Sequence, residues 1–393
     1  MTKGVVIAGA GQAGFQVAFS LRTEGFDGPI TLIGDEAELP YNRPPLSKAF
    51  LTGTDGEDDL PFRPTSFYEE HRVRLLMGRR VVSLRRDGHE AVLDDGKVVG
   101  YDFLVLATGA RVRPITVEPI EGLLYLRTTE DARQCKARLE TAESMIAIGA
   151  GFIGLEVAAA AAKMGKRVTV VAAEDRPMGR VVSPTISERY LKLHQEHCVQ
   201  VMLGELVDRI EPGLRVVLKS GVRLEAPLAI AGIGVIPNSE LAAEAGLATG
   251  NGIVVDQYLR TADESIFAIG DCAIACGLRL ESVQTAVDQA RCVAAAIAGK
   301  PRLYQAVPWF WTDQYDHKLQ IAGIPSNSVQ FVPRGESIYG FLADGTLGSV
   351  ESINRPVDHI QARKLLETKV PVSPAQVVDA SFDLKALTRA RGH

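Results

Sequence analysis

One pattern occurs twice in this chain and limits what it can fold into. An apolar tetrapeptide is followed by Gly-x-Gly-x-x-Gly and then by a helix-forming stretch. The first copy is Val5-Val6-Ile7-Ala8 with Gly9, Gly11 and Gly14, and a helix is expected over 15–22. The second is Met145-Ile146-Ala147-Ile148 with Gly149, Gly151 and Gly154, and a helix is expected over 155–164. The copies lie 140 residues apart (149 − 9). Each is followed by another apolar strand, at 30–33 and 168–171. The chain therefore carries two βαβ units, each able to open a doubly wound parallel sheet.

Each glycine has its own task. The first allows the tight turn, the second admits a pyrophosphate to the backbone, and the third lets the helix pack against the strand. The helix N-terminus then offers unpaired N–H groups and a partial positive charge to phosphate. An acid that can bind an adenosine ribose is expected about 20 residues on. Asp35 lies 21 residues after Gly14 (35 − 14), with Glu36 beside it. In the second unit the strand end holds Ala172, and Glu174 stands 20 residues after Gly154 (174 − 154), followed by Arg176 and Arg180. An acid favours NADH, whereas an arginine without one favours the 2′-phosphate of NADPH. The second unit has both, so either nucleotide stays open.

One dinucleotide site cannot be both donor and acceptor of a hydride. Two in tandem suggest a bound flavin in the first and a mobile nicotinamide nucleotide in the second. Two further segments fit a flavin site: a buried strand ending in Ala107-Thr108-Gly109, and an apolar strand at 266–269 ending in Gly270-Asp271, a turn that can aim a carboxylate at a polyol.

The 393 residues suffice for two or three domains, and 46% are hydrophobic, so each can bury a core. Period-2 stretches at 92–97 and 216–221 read as hairpins appended to the parallel sheets. From about 308 the texture changes: Trp309, Phe310, Trp311 and Tyr315 cluster, strands are expected at 319–322, 329–332, 337–342 and 347–353, and a helix at 358–367. The expected architecture is α/β: two tandem doubly wound domains plus a C-terminal α+β domain. The expected boundaries are 1–109 with 235–307, then 110–234, then 308–393.

A net charge of −5 argues against a general nucleic-acid binder. Five irregularly spaced cysteines give no disulfide framework and suit a reducing compartment. The N-terminal stretch has no small-residue cleavage site, and no apolar run approaches the roughly 18–20 residues of a membrane span. A cytoplasmic protein without a metal site is expected.

The stretch Leu39-Pro40-Tyr41-Asn42-Arg43-Pro44-Pro45-Leu46-Ser47-Lys48 resembles a signature of the oxygenase-coupled, putidaredoxin-reductase-like ferredoxin reductases. So do Tyr125-Leu126-Arg127-Thr128, Gly270-Asp271-Cys272-Ala273, Glu281-Ser282-Val283 and the run from Pro308 to Gln314. The resemblance covers nearly the whole chain and implies a glutathione-reductase-like fold. It implies FAD held at Gly9, Gly11, Ala13, Gly14, Asp35, Glu36, Arg43, Lys48, Val81, Ala107, Thr108, Gly109, Arg127, Gly270, Asp271, Val283 and Trp311. It implies NAD(P)H, with NADH the family's usual choice, at Gly149, Gly151, Ile153, Gly154, Glu156, Glu174, Arg176 and Gly234. Lys48, Glu156 and Trp311 would flank the reacting rings. Arg63, Arg291 and Trp311 would face a [2Fe–2S] ferredoxin that serves a cytochrome P450 or another oxygenase.

Read alone, these residues say less. Lys48 follows two prolines that fix its backbone, yet a solvated lysine is the ordinary reading. Glu156 falls on an expected first helical turn, where the dipole favours a carboxylate anyway. Trp309 and Trp311 share one face of a strand, as core residues also do.

Many proteins with two such domains reduce disulfides through a cysteine near the flavin. Here no cysteine precedes Cys135, and Cys272 and Cys276 read as packing residues. Thiol catalysis is therefore not expected. Hydride would enter the flavin as an electron pair, and electrons would leave singly to the ferredoxin. An acidic ferredoxin calls for a local basic patch. The alternatives are an NAD(P)H oxidase or quinone reductase with the same machinery, or a redox-sensing flavoprotein like apoptosis-inducing factor. Two loops, at 275–279 and 332–337, look short for the family.

Overall fold

A computed structural model describes residues 3–115 and 122–389; the last four residues of the expected C-terminal domain lie outside it. The chain divides into two compact units. The first comprises 1–42, 57–111 and 235–306, and the second 43–56, 112–234 and 307–393.

In the first unit the strands Val5–Ala8, Ile30–Gly34, Val73–Met77, Phe103–Leu106 and Ile266–Ala268 form one parallel sheet. The glycine-motif strand is central. Ile30–Gly34 and Val73–Met77 lie to one side of it, and Phe103–Leu106 and Ile266–Ala268 to the other. Val5–Ala8 and Ile30–Gly34 are buried throughout, as parallel strands covered on both faces must be. The Gln12–Thr23 helix packs on the Val283–Ile297 helix. Both helices carry small buried residues, Ala13 and Ala18 in one and Ala286, Ala290 and Ala294 in the other, which let them close up.

In the second unit Leu123–Tyr125, Ser144–Ile148, Arg167–Ala172, Gln200–Leu203 and Ala229–Ala231 repeat the arrangement. The glycine-motif strand is again central, but the outermost strand comes from before it in sequence rather than long after. The Phe152–Lys163 helix is buried continuously from Gly154 to Ala161. A helix apolar all round needs cover on both sides. One side is the parallel sheet, and the other is the strand Trp309–Gln314. That strand is the edge of a five-stranded antiparallel sheet with His317–Gly323, Leu347–Ile353, Ser337–Phe341 and Gln330–Arg334. The segment from 307 onward belongs to the second unit.

Each unit also carries a three-stranded antiparallel meander: Val81–Arg85, Glu90–Leu93 and Val98–Gly100 in the first, and Val207–Glu211, Arg215–Leu218 and Arg223–Glu225 in the second. Both expected hairpins are therefore present, each with one strand more. The loop expected to be short at 332–337 is a tight turn at Gly335 and Glu336. Among the described residues no helix is long and apolar enough to cross a membrane.

Candidate active site

Parallel strands deliver every loop that follows them to one edge of the sheet, where doubly wound folds bind ligands. In the first unit that edge collects the Gly9–Gly14 turn, Asp35 and Glu36, the 107–109 turn and Gly270-Asp271. The helix begins at Gln12, earlier than expected, because the motif itself supplies its first turn. Gly9 has φ +113°, and a Cβ there would strike the Ala107 carbonyl oxygen. A Cβ on Gly14 would strike the Gly9 carbonyl. A Cβ on Gly11 would meet nothing within 4 Å. The middle glycine thus faces open space, and no side chain caps the helix behind it. Backbone donors and an open approach fit a pyrophosphate.

Asp35 is exposed and pairs with Arg80 at 3.2 Å, while Glu36 accepts from the Tyr41 hydroxyl at 2.5 Å. Both carboxylates stand at the end of Ile30–Gly34. Ala107 is buried, and Thr108 is stapled to Asn238: its hydroxyl donates to the Asn238 carbonyl at 2.6 Å, and the Asn238 amide donates back at 2.9 Å. Gly270 has φ +73°, and a Cβ there would lie 3.2 Å from that of Ala13. The buried Gln289 accepts the Gly270 N–H at 2.7 Å, which fixes the turn presenting Asp271. Val81 is buried at the start of its strand, and Val283 opens the Val283–Ile297 helix.

The second unit repeats the cradle. Gly149 has φ +108° and would clash with the Gly232 carbonyl, Gly154 with that of Gly149, and Gly151 meets nothing within 4 Å. Ile153 is exposed beside this opening. Glu174 is exposed, with the Arg180 guanidinium 3.9 Å away. Arg180 also approaches within 4.0 Å of a Cβ built on Gly234. Arg176 is committed elsewhere, donating to the carbonyls of Val182 and Gly179 and to the Ser187 hydroxyl. Arg180, not Arg176, is the cation with its charge turned outward at this edge.

Glu156 is buried at 3% exposure. Because the helix starts at Phe152, Glu156 falls beyond its first turn, and the dipole is not what holds it. Three side chains hold it instead. Lys48 Nζ lies 2.7 Å from Oε2, Ser47 Oγ donates to Oε2 at 2.5 Å, and Thr312 Oγ1 donates to Oε1 at 2.6 Å. The short 3₁₀ turn Pro44–Ser47 aims Ser47 and Lys48, and the ammonium also donates to the Pro44 carbonyl at 3.3 Å. Lys48 keeps 20% side-chain exposure, so the pair has one wet end and one dry end.

Thr312 and Gln314 point inward from the Trp309–Gln314 strand, at 0% and 1% exposure. Trp311 lies on the alternate, half-buried face, with Trp309 at 5.4 Å centroid separation. In the same unit Arg43 donates to the Arg127 carbonyl at 2.7 Å. On the first unit Arg63 and Arg291 are exposed. Arg63 lies over Phe67 at 5.6 Å, and Arg291 stands 3.6 Å from Asp288.

All five cysteines are free. Burial raises the Cys272 thiol above its usual range and pushes Cys135 up to about 12, so neither supplies a thiolate. Cys276 is exposed on a turn with φ +52°, rather than packed as expected.

Ser47, Thr312, Gln314, His194, Asn238 and Gln289 were not foreseen as site residues. Polar residues at the inward positions of the 309–314 strand were the one signal available for Thr312 and Gln314.

The fold and these two cradles define an α/β protein that binds two dinucleotides. The chain belongs to the pyridine nucleotide-disulphide oxidoreductase family, which residues 3–290 match, and residues 309–388 match the family described as reductase C-terminal. It is 48% identical to the rhodocoxin reductase of Rhodococcus erythropolis over 97% of this chain and 93% of that one. The ferredoxin reductase for the CYP199A2 system from Rhodopseudomonas palustris superposes with a TM-score of 0.95 at 44% identity, over 98% of this chain and 100% of that one. The covalent putidaredoxin reductase–putidaredoxin complex gives 0.95 at 38% identity, over 98% of both.

Proposed function

We propose that this chain is an FAD-dependent NADH:ferredoxin reductase that serves a cytochrome P450 or another oxygenase in the cytoplasm. The observation that carries the reading is the duplicated open glycine cradle, one per unit, in a chain that offers no reactive thiol beside either.

The first unit holds FAD. The backbone from Gly9 to Gly14 takes the pyrophosphate, Asp35 and Glu36 the ribose, and Asp271 the polyol chain. Val81, Ala107, Thr108, Gly109, Gly270 and Val283 shape the walls, and Arg43, Lys48, Arg127 and Trp311 are the further residues that the family resemblance assigns to FAD. The second unit takes the nicotinamide nucleotide at Gly149, Gly151, Ile153, Gly154 and Gly234, with Glu174 on the adenosine ribose. When bound, FAD would supply hydride acceptance from NADH and single-electron release to a [2Fe–2S] partner. The chain's own residues supply orientation: Glu156 fixes the Lys48 ammonium, which would balance negative charge on the reacting rings. Trp311 covers one edge and excludes water. Arg63 and Arg291 form part of a salt-sensitive docking surface for an acidic ferredoxin.

The test is anaerobic stopped-flow of the purified flavoprotein against NADH, NADPH and a [2Fe–2S] ferredoxin from the same organism. Rapid bleaching by NADH followed by cluster reduction is expected. Bleaching with no transfer to any ferredoxin, but fast turnover with oxygen or quinone, would overturn the reading. Arg291→Glu should raise the ferredoxin KM roughly threefold or more at low salt, as rim charges do, with ferricyanide reduction unchanged. A parallel fall in both would make Arg291 structural.

A further inference from the structure

A chain of buried polar groups leads away from Glu156 on the side opposite Lys48. Thr312 Oγ1 donates to Glu156 Oε1 at 2.6 Å, and Gln314 Nε2 donates to Thr312 Oγ1 at 3.1 Å. His194 Nε2 meets Gln314 Oε1 at 2.8 Å, and the Tyr315 hydroxyl meets His194 Nδ1 at 3.3 Å. Tyr315 stacks on His197 at 3.6 Å, and Lys163 Nζ holds the Tyr315 carbonyl at 2.8 Å. Glu156, Thr312, Gln314 and His194 are all 3% exposed or less.

The donors can run in one direction only. A carboxylate accepts and cannot donate, so Thr312 gives it its single proton. The Thr312 oxygen must then accept, which places the amide nitrogen of Gln314 toward it. The amide oxygen therefore faces His194, whose Nε2 must carry the proton. Its Nδ1 is left to accept from Tyr315. Burial lowers the His194 pKa, which keeps the ring neutral as this pattern requires. Reversing the Gln314 amide would set its oxygen against the Thr312 oxygen, whose proton is already given to Glu156, and leave Thr312 without a donor. Each polar group buried here costs about 1–3 kcal/mol unless paired, so the chain is all satisfied or all at fault.

We propose that His194 is a positioning residue: through Gln314 and Thr312 it fixes the orientation in which Glu156 holds the Lys48 ammonium, and it pins the strand that carries Trp311. This rests on the reading above, in which Glu156 and Lys48 serve the nicotinamide and flavin. Thr312 and Gln314 face inward while Trp311 takes the alternate face, and a one-residue slip would exchange the two sets. The polar chain thus joins the placement of Trp311 to that of Glu156.

The test compares His194→Leu, which removes the donor, with His194→Gln, which restores an N–H in similar reach. His194→Leu should lower the limiting rate of flavin bleaching by NADH roughly tenfold while leaving the apparent Kd for NADH within about twofold, and His194→Gln should recover most of the loss. In a Trp309→Phe background Trp311 is the only tryptophan, so its emission in the flavin-free protein reports strand placement directly. It should shift in His194→Leu and return in His194→Gln. Should His194→Leu fold poorly, Gln314→Met cuts the same chain in its middle, and the double variant should be no worse than either single one. Unchanged bleaching and emission in His194→Leu, or additive losses in the double variant, would overturn the positioning role, provided Glu156→Gln slows bleaching. If Glu156→Gln also bleaches normally, the reading of the site itself fails.

Discussion

The two glycine cradles are nearly the same object built twice, and they part company where backbone gives way to side chain. Gly9, Gly11 and Gly14 stand in the same relations as Gly149, Gly151 and Gly154, with close carbonyls at the outer two and open space at the middle one. The turn that meets a pyrophosphate is a backbone device, so it repeats faithfully. A ribose would be met by a side chain, and there the copies differ. The first strand end offers Asp35 tied to Arg80 and Glu36 tied to Tyr41. The second offers Ala172, with Glu174 exposed two residues later beside Arg180. A firmly placed acid pair suits a cofactor that stays, and a looser pairing suits a nucleotide that must come and go.

The most severe way to break this symmetry is at the middle glycines. Gly11→Val and Gly151→Val each add atoms into open space, so neither should lower the Tm of the flavin-free protein by more than about 2 °C. Gly11→Val should cut FAD retention through desalting at least tenfold. Gly151→Val should keep FAD and raise the KM for NADH at least tenfold, and loss of FAD from both would erase the distinction drawn between the cradles.

A second contrast is confined to the second unit. Glu351 is fully buried, and its Oε1 accepts the Ser183 N–H at 2.8 Å. Burial pushes its carboxyl from 4.5 up to about 7, against the pull of that hydrogen bond and of Arg176. The folded state therefore binds a proton that the unfolded chain releases above 4.5. This contribution is fully present below pH 4.5 and is lost as pH rises through about 7. By pH 8 the loss is roughly 3 kcal/mol. Glu351→Gln should flatten this slope, so its Tm relative to the parent should be higher at pH 8 than at pH 5. Parallel melting curves at both pH values would remove Glu351 from the account.

The gentlest probe lies at the second strand end. Glu174→Ala should raise the KM for NADH about three- to tenfold and lower that for NADPH, because Arg180 would lose its neighbour. Arg180→Ala should do the reverse for NADPH. Equal effects of both changes on both nucleotides would place the adenosine end elsewhere.

Much of this was legible beforehand because the signals are local. Glycine spacing, apolar strands and the acid after the first unit all lie within short windows, and the strands fall where periodicity put them. The helix starts were missed by three residues because the motif's own glycines hide a first turn. That error placed Glu156 at the helix dipole and concealed what holds it there. Its partners, Ser47 and Thr312, come from 109 and 156 positions away in sequence, a pairing that no local pattern encodes. His194, Asn238 and Gln289 were overlooked for the same reason: each acts on a backbone or side chain that only the fold brings near.

The order of strands in the first sheet bears on how the protein is made. Its outer strand Ile266–Ala268 and the helix Val283–Ile297, which covers Gln12–Thr23, are translated after the whole parallel sheet of the second unit, which is complete in sequence at Ala231. During synthesis the Gln12–Thr23 helix thus leaves the ribosome long before the helix that covers it. The nascent first cradle stays half-built, with Gln12–Thr23 uncovered, until Ile297 emerges. A product stalled before Ile297 would expose the apolar side of the first fold and, lacking Trp309–Gln314, one side of the Phe152–Lys163 helix as well, an ideal substrate for chaperones and proteases.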